Sequence, residues 1–468
     1  MADTHDAPWQ GDACGLVDAY RAGDRSPTGE LQATLAAIEA SELNAFCFVD
    51  ADAAVEAARD VDTSLPFGGV PLGIKELDKV EGWPDTEACI VFRDRIATYT
   101  HTHIDRLRAA GAVPVGLTTA SEFGGVNLTR TVIHGATHNP WMEGRTPGGS
   151  SGGTAAAVAG GIVTLGTGGD GGGSLRIPGG FCGLVGLKTT YGRIPRGPNF
   201  DVGALTVTVG GLTRSVRDTA RWLDVANGAD PHDPHSLPRV EGWEAGLGRH
   251  LDELRGKRVA VIDGFGGAVV SPATAAMVRD AAEALIADLG LVRVDVDATL
   301  PSLSSAWSLA NMAGMFAELG DAWPDCAADL TPEMRFACEW AESKHYDMGA
   351  RIQLERRRTA LFEAMGNLFE SVDLVVTSSN PDVAFDAEGP LPRTFGGIKD
   401  SPGNNGKLTI PANVYGNPAI SIPVGTHEGL PVGMQVLAPH HRDAWLLDAA
   451  WVVERERPWP LVAPGAPR

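Results

Sequence analysis

The 468-residue chain is short of positive charge, of aromatic side chains and of paired cysteines. Thirty-eight Lys and Arg stand against 59 Asp and Glu, a net charge of −21. That balance disfavours nucleic acid and anionic membranes as partners, because phosphate contact needs a basic face. No apolar run is long enough to span a bilayer. The opening Met1-Ala2-Asp3-Thr4-His5-Asp6 lacks the basic-then-apolar order of a secretory signal. Six scattered cysteines form no Cys-x-x-Cys pair, which argues against a disulfide framework or a zinc knuckle and for a reducing cytoplasm. The five tyrosines and 14 phenylalanines do not cluster enough to mark an aryl pocket.

What the chain concentrates is glycine: residues 148–197 hold 18 of its 58 glycines. Around that stretch, helices and strands alternate. Patterning predicts helices over 14–24 and 28–41, the second opened by Ser26-Pro27 as cap and first turn. A buried strand follows within 66–80, then a helix from His103 to Ala110 and a strand from Ala112 to Leu117. Ser151 begins a small-residue helix, and Ile162 to Leu165 reads as a strand feeding a second glycine cluster. From Arg258 to Val296 the pattern predicts a strand–helix–strand unit. A long charged helix or helix pair over roughly 331–370, a strand at 374–376, strands at 419–422 and 432–437, and a helix from Asp443 complete the chain. The expected class is α/β around a mixed sheet, and the length has room for one very large domain or two to three smaller ones. The expected parts of the chain are N-terminal helices (1–65), a core holding the candidate chemistry (66–225), a variable α/β and helical stretch (226–370), and C-terminal strands and helix (371–468). The Asp-, His- and Pro-rich run 226–240 reads as a surface connection.

Two serines sit in glycine-packed turns, Gly148-Gly149-Ser150-Ser151-Gly152-Gly153 and Asp170-Gly171-Gly172-Gly173-Ser174. Upstream, Lys75 ends the apolar run Gly69-Val70-Pro71-Leu72-Gly73-Ile74. Two ordinary turns explain two serines, but not a lysine placed where burial deprives it of water. A lysine so placed loses its proton near neutral pH and serves as a base for a serine nucleophile. Other readings fit less of the chain. Gly166-Thr167-Gly168-Gly169-Asp170-Gly171 matches a dinucleotide fingerprint, yet Pro178 and Gly179-Gly180 interrupt the following helix and no acid lies about 20 residues on. Gly148-Gly149-Ser150-Ser151-Gly152 matches a nucleophile elbow, for which Asp382 or Asp386 with His427, His440 or His441 would complete an α/β-hydrolase triad. His101, His103, His134 and His138 have no accompanying acid or cysteine set in sequence and read as structural or solvated, with no metal. Glu355-Arg356-Arg357-Arg358 reads as the exposed face of a helix.

The segment Arg145-Thr146-Pro147-Gly148-Gly149-Ser150-Ser151-Gly152-Gly153-Thr154, continuing to Asp170-Gly171-Gly172-Gly173-Ser174-Leu175-Arg176-Ile177-Pro178, resembles the amidase signature. Gly69 to Glu76, Gly135 to Trp141, Phe181 to Lys188, Gly416 to Pro423 and Gly429 to Gln435 extend the likeness over nearly the whole chain. The resemblance implies a single large α/β domain with a central mixed twisted sheet covered by helices, and a Ser-Ser-Lys set in which Ser174 attacks an amide carbonyl and Ser150, after a cis Gly149–Ser150 peptide, relays the proton to Lys75. It implies an oxyanion hole from the backbone of Gly171, Gly172 and Gly173, no metal or cofactor, a small-molecule amide as substrate, and leaves a homodimer open as the assembly. Acyl-pocket residues are expected within 120–130, 300–350 and 378–410. Gly169, Leu117, Thr119, Thr189 and Ser378 depart from the usual pattern. Within the family the alternative is the glutaminase-like subunit of a tRNA-dependent amidotransferase, which usually carries Gln where this chain has Ile177. Outside it stand an α/β-hydrolase-type esterase and a non-catalytic binding protein.

Overall fold

The computed structural model describes residues 7–199, 205–302, 314–343 and 347–468. The polar start at 1–6 and parts of the 300–350 pocket segment therefore lie outside the described residues. One mixed sheet of 11 strands organises the chain. In chain order the strands are β1 (Phe46–Val49), β2 (Pro71–Lys75), β3 (Val113–Thr118), β4 (Leu165–Asp170), β5 (Val185–Lys188), β6 (Thr208–Thr213), β7 (Arg258–Val261), β8 (Val292–Arg293), β9 (Leu374–Ser378), β10 (Ala419–His427) and β11 (Leu430–Leu437). Across the sheet they run β1-β3-β2-β4-β6-β5-β10-β11-β9-β7-β8. The centre is antiparallel, from β4 through β11 to β9. Parallel groups flank it, β3-β2-β4 on one side and β9-β7-β8 on the other. Helices flank the sheet, so the α/β expectation holds. No helix among the described residues is long and apolar enough to cross a membrane.

Local signals set several boundaries as expected. Ser26 caps the helix Pro27–Ala40 by accepting from the Gly29 N–H, with proline in the first turn. Asp12 does the same for Ala13–Ala22. The strand–helix–strand unit is β7, Pro272–Leu289 and β8, although β8 stops at Arg293. The charged segment is two helices, Pro332–Ser343 and Met348–Ser371.

One expectation needs correction. The strand placed at 162–165 lies further on: β4 contains the glycine cluster. The reason is steric. A Cβ on Gly166 would come 2.4 Å from Thr154 Cγ2, and one on Gly168 would come 2.6 Å from Leu175 Cδ2. Glycine here lets neighbours pack onto a strand, so it does not signal a loop. The run 226–240 lies largely at the surface, with Pro231, His232, Pro234 and His235 exposed, and is tethered at two points. Asp230 and Asp233 are buried; Asp233 accepts the Arg196 N–H at 2.9 Å and Asp230 accepts the Thr102 hydroxyl.

The core is continuous across the sheet, with Trp222 of the helix Val216–Ala226 packed over Gly211 of β6. At the far edge, β1 and β3 approach so closely that a Cβ on Gly116 would lie 2.0 Å from Phe48 O. Gly116→Ala should therefore lower stability by about 1–3 kcal/mol through overpacking, read as a lower urea midpoint at unchanged m-value.

Candidate active site

Strands β3, β2 and β4 lie side by side and run the same way. Their C-terminal ends therefore open at one edge of the sheet, where α/β folds gather ligands. Those ends are Thr118, Lys75 and Asp170. Every residue of β2 is buried, and Lys75 is 3% exposed. Its Nζ lies 2.7 Å from Ser150 Oγ, and its backbone N–H donates to Thr167 Oγ1 at 2.8 Å. Burial pushes the amine down from 10.5 to about 8, against the opposing pull of Asp78, Asp170 and Glu87. An amine poised there is neutral in a large fraction of molecules just above neutral pH.

Ser150 precedes the small-residue helix Gly152–Ala159, which is pinned to the end of β3. The Gly153 N–H donates to Thr119 O at 2.9 Å, the Ser121 N–H donates to Ser150 O at 3.1 Å, and the Thr118 and Thr154 hydroxyls meet at 2.6 Å. The Gly149–Ser150 peptide is cis. A Cβ on Gly149 would sit 2.5 Å from Ser121 Oγ and 2.8 Å from the Leu128 backbone N, so no larger residue fits.

Ser174 follows β4 through the turn Gly171-Gly172-Gly173. Asp170, wholly buried, anchors that turn. Its carboxylate accepts the Gly173 N–H at 2.7 Å, the Leu175 N–H at 3.3 Å, and Arg176 Nε and Nη2 both at 2.9 Å. Arg176, equally buried, donates onward to Thr409 O (2.9 Å), Gln435 Oε1 (2.6 Å) and Asn413 Oδ1 (2.6 Å). Burial alone would push the Asp170 carboxyl up, but Arg176 overrides it and holds the group at about 2. Of the three glycines expected to donate to an oxyanion, Gly173 has its N–H committed to Asp170. Gly171, Gly172 and Ser174 line the cavity; Gly173 does not.

Lys75, Ser150 and Ser174 share one cavity of about 620 Å³. Leu77, Phe123, Val207, Met315 and Met334 form apolar parts of its wall. Lys79, Asp85, Glu87, Arg95 and Glu318 form a charged part, with Lys79 paired to both Asp85 and Glu87 and Arg95 paired to Asp85 and Glu318. The expected pocket segments 120–130 and 300–350 contribute, the latter through Gly314 to Glu318 and Met334. Segment 378–410 supplies no lining residue among those described; its Thr409 hydroxyl instead donates to Gly172 O at 2.6 Å, buttressing the Ser174 turn from behind. The largest unforeseen contributor is the segment after β2, from Leu77 to His103; Arg196, Asn199, Val207 and Val209 are the others outside the glycine turns. Its signal in sequence was the density of alternating charge between Asp78 and Arg95.

The turn directly after β2 supplies the acids the histidines lacked in sequence, Glu76 and Asp78. His101 and His103 stand 3.8 and 3.5 Å from Asp78 Oδ1, and His134 Nε2 lies 2.7 Å from Glu76 Oε1. Both groups have the composition of metal clusters, the second with Cys47. In the first, His101 Nδ1 already accepts the Lys79 N–H at 3.1 Å, which engages the lone pair a cation would need. His138 joins neither group. None of Asp382, Asp386, His427, His440 or His441 lines the cavity, and His440 Nε2 is taken up by Tyr415 O at 2.8 Å.

The family model described as Amidase matches residues 30–447. The chain belongs to the amidase family. It is 34% identical over 472 residues to a glutamyl-tRNA(Gln) amidotransferase subunit of Synechococcus sp. (strain RCC307), covering 92% of this chain and 94% of that one. The same subunit of Chloroflexus aurantiacus (strain ATCC 29366 / DSM 635 / J-10-fl) is 33% identical, with 94% and 95% covered. Among solved structures, a bacterial aryl acylamidase of the amidase signature family superposes with a TM-score of 0.87 at 26% identity, covering 96% of this chain and 97% of that one. A 6-aminohexanoate cyclic dimer hydrolase complexed with substrate gives 0.83 at 27%, covering 98% and 99%. The activity class of this amidase is accordingly hydrolysis of amides. Leu117, Thr119, Thr189 and Ser378, where it departs from the usual pattern, are buried and do not line the cavity; Gly169 does.

Removing one partner from a fully buried ion pair strands the other charge, at about 3–5 kcal/mol. Arg176→Met in this amidase should lose that much stability in chemical denaturation, and activity with it, because Asp170 would no longer hold the Ser174 turn.

Proposed function

We propose that the chain cleaves a carboxylic amide to carboxylate and amine or ammonia through an acyl-enzyme on Ser174. The carrying observation is the 2.7 Å contact between Lys75 Nζ and Ser150 Oγ, in a cavity that Ser174 also lines. In the neutral state of Lys75, the Ser150 hydroxyl donates to Nζ and its oxygen accepts the Ser174 proton. Ser174 Oγ then bonds to the amide carbon and the carbonyl electrons move onto oxygen. The N–H groups of Gly171, Gly172 and Ser174 are assigned to that developing oxyanion, a contribution of about 3–4 kcal/mol per donor. Collapse breaks the C–N bond while the proton returns through Ser150 to the leaving nitrogen. Water, deprotonated by the same relay, attacks the acyl carbon and releases Ser174. These steps use only the chain's own groups.

We read the protein as an independent hydrolase of a small-molecule amide. Its six free thiols fit a reducing cytoplasm. The sequence relatives named as amidotransferase subunits favour a second reading, release of ammonia from glutamine to a partner protein. Glutaminase activity that appears only with a co-purifying partner would establish it over the first.

Ser174→Ala should abolish turnover and the acyl adduct that hydroxylamine traps from wild type, with unchanged circular dichroism; near-wild-type rates would refute the mechanism. Because the neutral amine is the base, kcat/KM should fall as pH drops below about 8. Lys75→Ala should be inactive throughout that range.

A further inference from the structure

Three carboxylates act on Lys75 from different elements: Asp78 from the turn that follows β2, Asp170 from the end of β4, and Glu87 from the loop beyond. Two of them are already matched by strong cations. Asp170 is held by both Arg176 nitrogens, and Glu87 by Lys79 and Arg95. Asp78 is held differently. Its Oδ2 accepts the Thr167 hydroxyl at 2.6 Å, and its Oδ1 faces His103 Nε2 at 3.5 Å and His101 Nδ1 at 3.8 Å. Burial raises the Asp78 carboxyl, but His103 first and the Thr167 hydroxyl with it hold it below the ordinary range, so it stays ionised; His101, pushed down to about 3 chiefly by burial and with its Nδ1 taken by the Lys79 N–H, stands beside it neutral. Lys79 and Arg196 bear on His101 from farther out.

The same Thr167 oxygen accepts the backbone N–H of Lys75 at 2.8 Å, and the Asp78 N–H donates to Lys75 O at 2.8 Å. Asp78 is thus tied to both sides of the lysine's own backbone. Thr167 sits two residues before Gly169 on β4, hence on the same face, since side chains alternate along a strand. Gly169 brings no side chain to that face, so of the two positions Thr167 alone offers the lysine a hydroxyl. Thr167 does not line the cavity, whereas Asp78, His101 and His103 do.

We propose that Asp78, held by the Thr167 hydroxyl and facing His103, is the positioning residue that fixes Lys75 against Ser150 and supplies the charge against which the lysine gains and loses its proton. This rests on Lys75 being the base. An ionised carboxylate favours the ammonium form, so its removal frees the amine at lower pH. Asp78→Asn keeps the shape and deletes the charge.

The test is the pH profile of kcat/KM with any amide the wild type turns over. Asp78→Asn should move the acid limb to lower pH by about one unit. Thr167→Val should lower kcat about tenfold with KM within twofold and the limb unmoved, and Thr167→Ser should restore it. An Asp78→Asn limb that overlays wild type overturns the proposal, as does a Thr167→Val enzyme with wild-type kcat or a Thr167→Ser enzyme equally impaired. Should Asp78→Asn fail to fold, the Thr167 pair decides. Turnover retained by Lys75→Ala would instead bring down the base assignment, and the proposal with it.

Discussion

A fully buried carboxylate and a fully buried guanidinium leave little freedom to what surrounds them, because each of their hydrogen-bonding sites must be met by protein. Asp170 and Arg176 show how far that requirement reaches. Asp170 closes on the backbone of Gly173 and Leu175, which shapes the turn carrying Ser174. The guanidinium then needs further acceptors, and Thr409, Asn413 and Gln435 supply them from segments more than 230 residues away in sequence. One pair therefore sets the Ser174 turn and docks the C-terminal third of the chain beneath it. Such a pair adds less to stability than apolar packing of equal volume, but it is intolerant of loss.

A second constraint follows from strand direction. Because β3, β2 and β4 are parallel neighbours, Thr118, Lys75 and Asp170 must emerge together. The chain then brings Ser150 to that edge by pinning the helix Gly152–Ala159 to the end of β3. Glycine serves this assembly through space more than through unusual angles. At Gly149, Gly166 and Gly168 the neighbour that a Cβ would strike is a serine hydroxyl, a threonine methyl and a leucine methyl respectively.

Much of this was legible in the residues themselves. Cap residues marked the starts of helices such as Pro27–Ala40, since a cap is a contact within four residues and travels with the sequence. Lys75 was visible as a lysine in an apolar run, Ser150 and Ser174 as hydroxyls among glycines. The partners that tune them were not. Asp78, Thr167 and His103 meet across 25 to 89 residues of chain, and no local pattern encodes that meeting. Strand β4 was misplaced for the converse reason: its glycines are local features of a turn, and only the side chains that lie against them make them a strand.

By itself, then, the sequence determined the α/β class, the chemical types of the candidate site residues and the shortage of basic surface, all properties of composition and short-range pattern. Tertiary structure alone decided which acids stand beside which bases: Asp78 beside the histidines, Glu76 beside His134, Asp170 beside Arg176. It also decided that Gly173 turns its N–H to a carboxylate while Gly171, Gly172 and Ser174 face the cavity. The physical reason is common to both. Electrostatic and steric effects act through distances of a few ångströms in space, and spacing along the chain does not report those distances once strands from opposite ends of the sequence lie side by side.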